Sequence, residues 1–253
     1  MAGVVATIDP RVLASEVAAL GRPLLVGLDV DGVLAPIVHH ADEAALLPGM
    51  LEAVTALAER TPVAIVSGRT IDDLDRFTFP HHLDVVGSHG LERRHEPELV
   101  LTPEEQAAYE QLADLVAGAA SAAGDGAWVE AKRAGHVLHV REAPADTAAA
   151  AVDELHEQLS DVPGVHVKAG KGVVEVLARA TSKADAMLAL QRERGAAAVV
   201  FVGDDRTDEE VFAALGRGDR GVRVGPGDTA ATRRLADPPA VLAFLDALAT
   251  ALH

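Results

Sequence analysis

The sequence has no cysteine, so neither a disulfide nor a thiolate metal site can form. Aromatic residues are scarce, at 3%, which leaves Leu, Val and Ala to build any core. Positive charge is also in short supply: 39 Asp and Glu against 22 Lys and Arg give a net charge of −17. Such a chain repels nucleic acid and anionic membrane at long range, and an anionic substrate needs a locally positive or metal-loaded pocket. No stretch approaches the ~20 apolar residues of a membrane helix. The opening "MAGVVATIDP" lacks a basic segment and reaches Asp9 before a signal-length apolar run accumulates. The expectation is a soluble cytoplasmic protein with a small-molecule substrate and no nucleic-acid or membrane partner, a monomer being favoured.

What the chain does have is length and order. Its 253 residues, 49% hydrophobic and 24% charged, suffice for one large domain or two modest ones. The first third alternates buried-strand runs with helical patterns. Residues 24–28 form an apolar run ending in Asp29, and "PVAIVSGR" (62–69) and "LDVVGSHG" (83–90) are two more. Between the first two, Pro48 opens a helical pattern with Met50, Leu51, Val54, Leu57 and Ala58 on one face. The style returns late in the chain. "TSKADAMLALQRERG" reads as a helix stopped by Gly195, "AAVVFVGDD" as a buried strand, "EEVFAALG" as a helix, "GVRVG" as a strand and "PAVLAFLDALATAL" as a terminal helix. Continuous apolar strands separated by helices predict an α/β fold, a doubly wound parallel sheet covered on both faces.

The middle is different. Thr102-Pro103-Glu104-Glu105 is a capping box with proline at the first helical position. "WVEAKRAGHVLHVRE" reads as two strands, Trp128 to Arg133 and His136 to Glu142, and a helix follows around 146–160. "VHVKAGKGVVEVLA" (165–178) is a second hairpin around Gly170. An α+β block over 99–179 is thus inserted between two parts of the α/β domain, 1–98 and 180–253.

Three polar groups follow buried strands: Asp29-Val30-Asp31, Ser67-Gly68-Arg69 and Gly203-Asp204-Asp205. In parallel sheets ligands bind outside the carboxyl ends of the strands, so neighbouring strands would bring these groups together. Lys183, near a helix start, can reach the same point. Each has an ordinary structural explanation alone: an aspartate caps a helix, a serine forms a turn, a lysine faces solvent, and "GDDRTDEE" is an acidic loop with Thr207 as cap. Together, in order and at element ends, they point to a site. Gathered carboxylates stay ionised only beside a cation, and an oxygen-only set suits Mg²⁺, whose remaining positions suit a phosphate held further by Lys183 and Ser67.

The order Asp29-x-Asp31-Gly, Ser67, Lys183 and Gly203-Asp204-Asp205-x-x-Asp208 resembles the haloacid dehalogenase superfamily of aspartate-nucleophile phosphatases. Within it, "DVDGVLAPIV", "AIVSGR", "GSHGLE", "VEAK", "KAGKGVVEV", "FVGDDRTDEEVF" and "DTAATRRLADPPAVLAFLDAL" are similar to the trehalose-6-phosphate phosphatase family, over nearly the whole chain. That resemblance implies a two-part architecture of core and mobile cap. It makes Asp29 the nucleophile that forms an aspartyl phosphate and Asp31 the proton donor and acceptor. Ser67 and Lys183 complete the catalytic set. Mg²⁺ would be held by Asp29, the backbone carbonyl of Asp31 and Asp204, with Asp205 and Asp208 behind them; Asp208 orients metal waters or Lys183. Arg69 joins the substrate-binding set, and Glu130, Lys132 and Glu175 in the inserted block align with sugar-contacting positions.

Val33 stands where that family commonly has Thr, and "HHADEA" (39–44) replaces an Asp/Pro-rich turn. His89 reads as structural, between two turn glycines. His136 and His139 fall on opposite faces of one strand, which argues against a paired metal site. The rivals to a trehalose 6-phosphate phosphatase are a phosphatase of another sugar phosphate or phosphorylated glycoside, a non-catalytic sugar-phosphate sensor, and a phosphosugar mutase.

Overall fold

Side-chain caps set where several helices begin. Asp9 Oδ1 accepts from the amides of Arg11 and Val12, Thr70 Oγ1 from Asp73, and Ser182 Oγ from Asp185. Each satisfies an amide that the first helical turn cannot. The expected box at Thr102 and Glu105 forms in both directions. A computed structural model describes residues 5–38, 43–96, 99–170, 172–179 and 181–252. His39, His40, Ala41 and Asp42 of the "HHADEA" segment lie outside the described residues.

In chain order the elements are α1 (Pro10–Ala18), β1 (Leu24–Leu28), α2 (Met50–Ala58), β2 (Val63–Val66), α3 (Ile71–Asp75), β3 (Asp84–Gly87) and β4 (Glu92–Arg93). There follow α4 (Pro103–Ala123), β5 (Trp128–Lys132), β6 (Gly135–His139), α5 (Ala145–Ser160), β7 (His166–Gly170) and β8 (Val173–Leu177). The last are α6 (Lys183–Glu193), β9 (Ala198–Gly203), α7 (Arg206–Ala214), β10 (Arg220–Val224), β11 (Arg233–Leu235) and α8 (Pro238–Ala251). The chain divides into two compact units, one of Met1–Glu96 with Thr181–His253 and one of Pro97–Ala180.

The first unit is built on a seven-stranded sheet in the order β11-β10-β9-β1-β2-β3-β4. All neighbours are parallel except β3 and β4. Successive residues of β1 serve opposite faces. Leu24, Val26 and Leu28 join the core under α1, α2 and α8, where Leu13, Val17, Val54, Leu57, Phe244 and Leu248 pack. Leu25 joins the core on the other side with Met187, Leu190, Val211 and Phe212 of α6 and α7. Both faces are therefore dry, which is why these strands read as unbroken apolar runs. Each fully buried Leu or Val removed from water contributes about 1.5–3 kcal/mol before chain entropy is set against it. Val33 is fully buried in the first of these cores.

The second unit is a four-stranded antiparallel sheet, β5-β6-β8-β7, with α4 and α5 packed on one face. Val129, Leu138, Val174 and Val176 point into that interface with Leu112, Val116 and Leu155. The two expected hairpins are present with shorter strands. Val140 already bonds through its amide to Gly172 in the neighbouring turn, and β6 ends at His139.

Candidate active site

β9, β1 and β2 lie side by side and parallel, so Asp29, Ser67 and Asp204 leave the sheet at one edge. Backbone bonds carry the register into the loops: Asp29 N–H donates to Val202 O at 3.0 Å and Ser67 N–H to Val86 O at 3.0 Å. After Asp29 the chain folds on itself, with the amides of Leu34 and Ala35 both donating to Val30 O at 2.8 Å. Gly32 takes φ +73°, and a Cβ there would lie 2.1 Å from Asp204 Oδ2. A glycine is thus required twice over, for its backbone conformation and for the carboxylate that abuts it.

Lys183 is the first residue of α6 and is only 2% exposed. Its Nζ lies 2.8 Å from Asp29 Oδ2 and 2.8 Å from Asp208 Oδ1. A buried ammonium is tolerable only with such partners. Burial draws the Lys183 pKa down, but Asp29, Asp208 and Asp205 outweigh it and hold the group above its ordinary value. Asp29 lies well above the ordinary carboxylate range: burial raises it, Lys183 opposes the rise, and Asp208 adds to it.

Asp208 is itself fixed by the turn ahead of it. Its Oδ2 accepts from the amides of Asp204 at 2.8 Å and Asp205 at 3.0 Å. Asp205 Oδ1 in turn accepts from the amides of Thr207 at 2.9 Å and Asp208 at 3.1 Å. The cap of α7 is therefore Asp205 in a reciprocal box with Asp208, not Thr207.

Asp31 and Arg69 form a fork-to-fork pair, Nε to Oδ2 at 2.7 Å and Nη2 to Oδ1 at 2.8 Å. The arginine is largely buried with its guanidinium 5.7 Å from the centre of the Phe77 ring, whereas the Asp31 side chain is 42% exposed. Ser67 is buried, and its Oγ accepts from the Arg69 amide at 3.3 Å. The "GSHGLE" turn braces this loop. Ser88 N–H donates to Arg69 O at 2.7 Å and His89 N–H to Ser67 O at 3.0 Å, both residues with positive φ, 48° and 55°. Glu92, which sequence reasoning passed over, is buried and accepts from Ser88 Oγ at 2.8 Å and the Ile71 amide at 2.9 Å. Its signal was one carboxylate closing a turn of otherwise uncharged residues.

Asp29, Asp205 and Asp208 each offer an oxygen within 4.8 Å of the others, a grouping that can hold a metal ion. Of the expected ligands, Asp29, the Asp31 backbone carbonyl and Asp204, only Asp29 is in this trio of side chains, which adds Asp205 and Asp208. Asp208, however, has both oxygens engaged by Lys183 and two amides, and Asp205 Oδ1 is taken by Thr207 and Asp208. Asp204 is pushed up to about 7 by burial, with the charges of Asp205 and Asp208 adding to it. One lysine thus faces several carboxylates, and an oxygen-only donor set with surplus negative charge fits a hard divalent cation.

In the second unit, register places Glu130 opposite Val137, Val137 opposite Glu175 and Glu175 opposite Lys168. Opposed residues share a face, so Glu130, Lys132 and Glu175 lie together on the face away from α4 and α5. Glu130 Oε1 meets Lys132 Nζ at 2.7 Å and its Oε2 meets His139 Nε2 at 3.0 Å. Burial raises the Glu130 pKa, and these two partners more than reverse it. His136 points to the opposite face, where its Nε2 lies 3.2 Å from Tyr109 O and burial lowers its pKa.

Comparison with known proteins gives concordant results. The family profile described as Trehalose-phosphatase matches residues 27–235. The chain is 34% identical over 236 residues to trehalose-6-phosphate phosphatase of Escherichia coli K12, covering 89% of this chain and 86% of that one. Its fold superposes on trehalose-6-phosphate phosphatase of Aspergillus fumigatus with a TM-score of 0.75 and 26% identity, over 97% of this chain and 99% of that chain. A sugar phosphatase of haloacid dehalogenase subclass IIB shares the fold at a TM-score of 0.52 and 15% identity, over 83% of this chain and 92% of that chain.

Proposed function

The chain belongs to the trehalose-phosphatase family, and from that membership we propose that it hydrolyses trehalose 6-phosphate to trehalose and inorganic phosphate, as a phosphoric monoester hydrolase of trehalose biosynthesis. The observation that carries this reading is Lys183 Nζ, 2.8 Å from both Asp29 and Asp208 at the carboxyl edge of β1 and β9. A buried ammonium held between two carboxylates at this edge is placed to meet the oxygens of a phosphoryl group.

In this mechanism an Asp29 oxygen attacks phosphorus while the bond from phosphorus to the sugar oxygen breaks, and Asp31 gives that oxygen its proton. Water then attacks the same phosphorus, Asp31 takes the water's proton, and the Asp29 carboxylate departs as phosphate is released. Both Asp31 oxygens are held by Arg69, so these proton transfers require that pair to open at one oxygen. Lys183 and the Ser67 hydroxyl take up phosphoryl oxygens as their charge develops. Bound Mg²⁺ would neutralise that charge, held by Asp29, the backbone carbonyl of Asp31 and Asp204, with Asp205 and Asp208 setting the positions of these groups. The first unit is the chemical core and the second is the cap, where Glu130, Lys132 and Glu175 bind sugar hydroxyls.

The test is phosphate release over a panel of sugar phosphates, with and without divalent metal. Trehalose 6-phosphate should be the best substrate. Chelation should stop turnover, Mg²⁺ should restore it, and Ca²⁺ should substitute poorly because its looser coordination misplaces nucleophile and phosphate. Full activity in metal-free buffer would reject the metal, and preference for another sugar phosphate would reject the substrate.

A further inference from the structure

The chain has a single tryptophan, and it is not in a core. Trp128 opens β5 and is 52% exposed. Burial of an indole is among the larger gains open to a side chain, so an exposed one on a regular strand calls for a reason. Register puts it on the polar face of its sheet. Trp128 is opposite His139, His139 is opposite Val173 and Val173 is opposite Gly170. Glu130 and Lys132 follow at two-residue steps on the same face, and the row of Glu130 and Glu175 lies about 7 Å away along the strands.

The indole is also held in place. The His139 ring stacks on it in parallel, centroids 3.7 Å apart and planes at 0°. The same histidine meets Glu130 Oε2 at 3.0 Å, and Glu130 meets Lys132 at 2.7 Å. One contiguous chain of contacts therefore runs from the aromatic plane to the paired carboxylate and ammonium. A pyranose ring has the matching chemistry: a face of C–H groups for an aromatic plane, and a rim of hydroxyls that both donate and accept. The ion pair of Glu130 and Lys132 offers both acceptors and donors to such a rim, and Glu175 adds acceptors.

We infer that Trp128, oriented by His139, is the platform on which a glucosyl ring of the disaccharide stacks, extending the sugar site beyond Glu130, Lys132 and Glu175. The inference rests on the substrate reading above, and its test is arranged to fail separately. Because Trp128 is the only tryptophan, its fluorescence reports this position alone. In the Asp29→Asn variant, expected to bind substrate without consuming it, saturating trehalose 6-phosphate should reduce quenching by acrylamide. Trp128→Ala should raise KM for trehalose 6-phosphate about tenfold with a smaller effect on kcat, the scale of one aromatic contact, and Trp128→Phe should recover most of the loss. If wild type hydrolyses trehalose 6-phosphate but substrate leaves the quenching constant unchanged, the platform is overturned and the phosphatase reading stands. A KM within twofold of wild type in a folded Trp128→Ala variant overturns it as well. If that variant fails to fold, the quenching result decides. If wild type does not act on trehalose 6-phosphate, the substrate reading itself falls.

Discussion

Lys183 keeps its charge in a place where burial alone would remove it, because Asp29 and Asp208 each approach to 2.8 Å. Substituting Asp29 by Asn leaves Lys183 one anionic partner and preserves side-chain shape, so the fold should survive. The amide is a poor nucleophile, and turnover should fall by at least ~10³-fold. Phosphate release, together with a melting curve near that of wild type, checks this; turnover within tenfold of wild type would remove Asp29 from the nucleophile's role. At this scale the sequence was informative about residue types and poor about partners. Asp29, Asp31, Ser67, Lys183, Asp204 and Asp208 were legible because each sits at an element end. That Asp31 would be clamped by Arg69, 38 residues on, was not, because nothing local encodes a tertiary ion pair. The pairing of Lys183 with Asp208, 25 residues later, was expected only through the family resemblance, as one of two roles for Asp208.

Among elements, α4 offers a test of the second unit alone. Arg179 lowers the Glu105 pKa to about 2, with the Thr102 amide adding to the effect. A folded-state pKa below the unfolded value gives stability that is present above the unfolded value and is lost as pH falls through the folded one. Glu105→Gln should therefore destabilise the unit at pH 7, by about 1 kcal/mol or less because the pair faces water, and the gap from wild type should close between about pH 4.5 and 2. Urea unfolding at several pH values measures it; a gap that does not vary with pH would mean that packing, not charge, is lost. The central strands and long helices were legible since unbroken apolar runs and caps are local signals. α1, α3, β4 and β11 were not anticipated. β4 has two residues and β11 reads Arg-Arg-Leu, so neither carries a periodicity, and both are strands only because β3 and β10 offer them edges.

At the scale of the molecule, chemistry and selectivity fall to different units in the proposed reading. Trehalose 6-phosphate and glucose 6-phosphate present the same reacting group, but only the first has a second ring. Its kcat/KM should exceed that of glucose 6-phosphate by at least ~10²-fold, a few kcal/mol of binding energy used in the transition state. Glu175→Ala should reduce that ratio mainly by slowing the disaccharide. Equal slowing of both substrates would assign Glu175 to folding of the sheet instead. The α/β class and the composition of the inserted block, α-β-β-α-β-β, were legible from the switch in hydrophobic period.

The central strand of the first unit pairs with a segment far along the chain: Leu24 to Leu28 lie against Ala198 to Val202. On a ribosome extending the polypeptide at ~5–20 residues per second, β1 emerges roughly 10–35 s before the strand that completes one of its edges. For that interval the nascent chain presents an apolar strand with open hydrogen-bonding groups, the kind of surface that invites pairing with other chains. The second unit, one continuous stretch of chain, can fold during that wait. Vectorial synthesis thus leaves β1, the first strand made, with one edge open until most of the polypeptide has been assembled behind it.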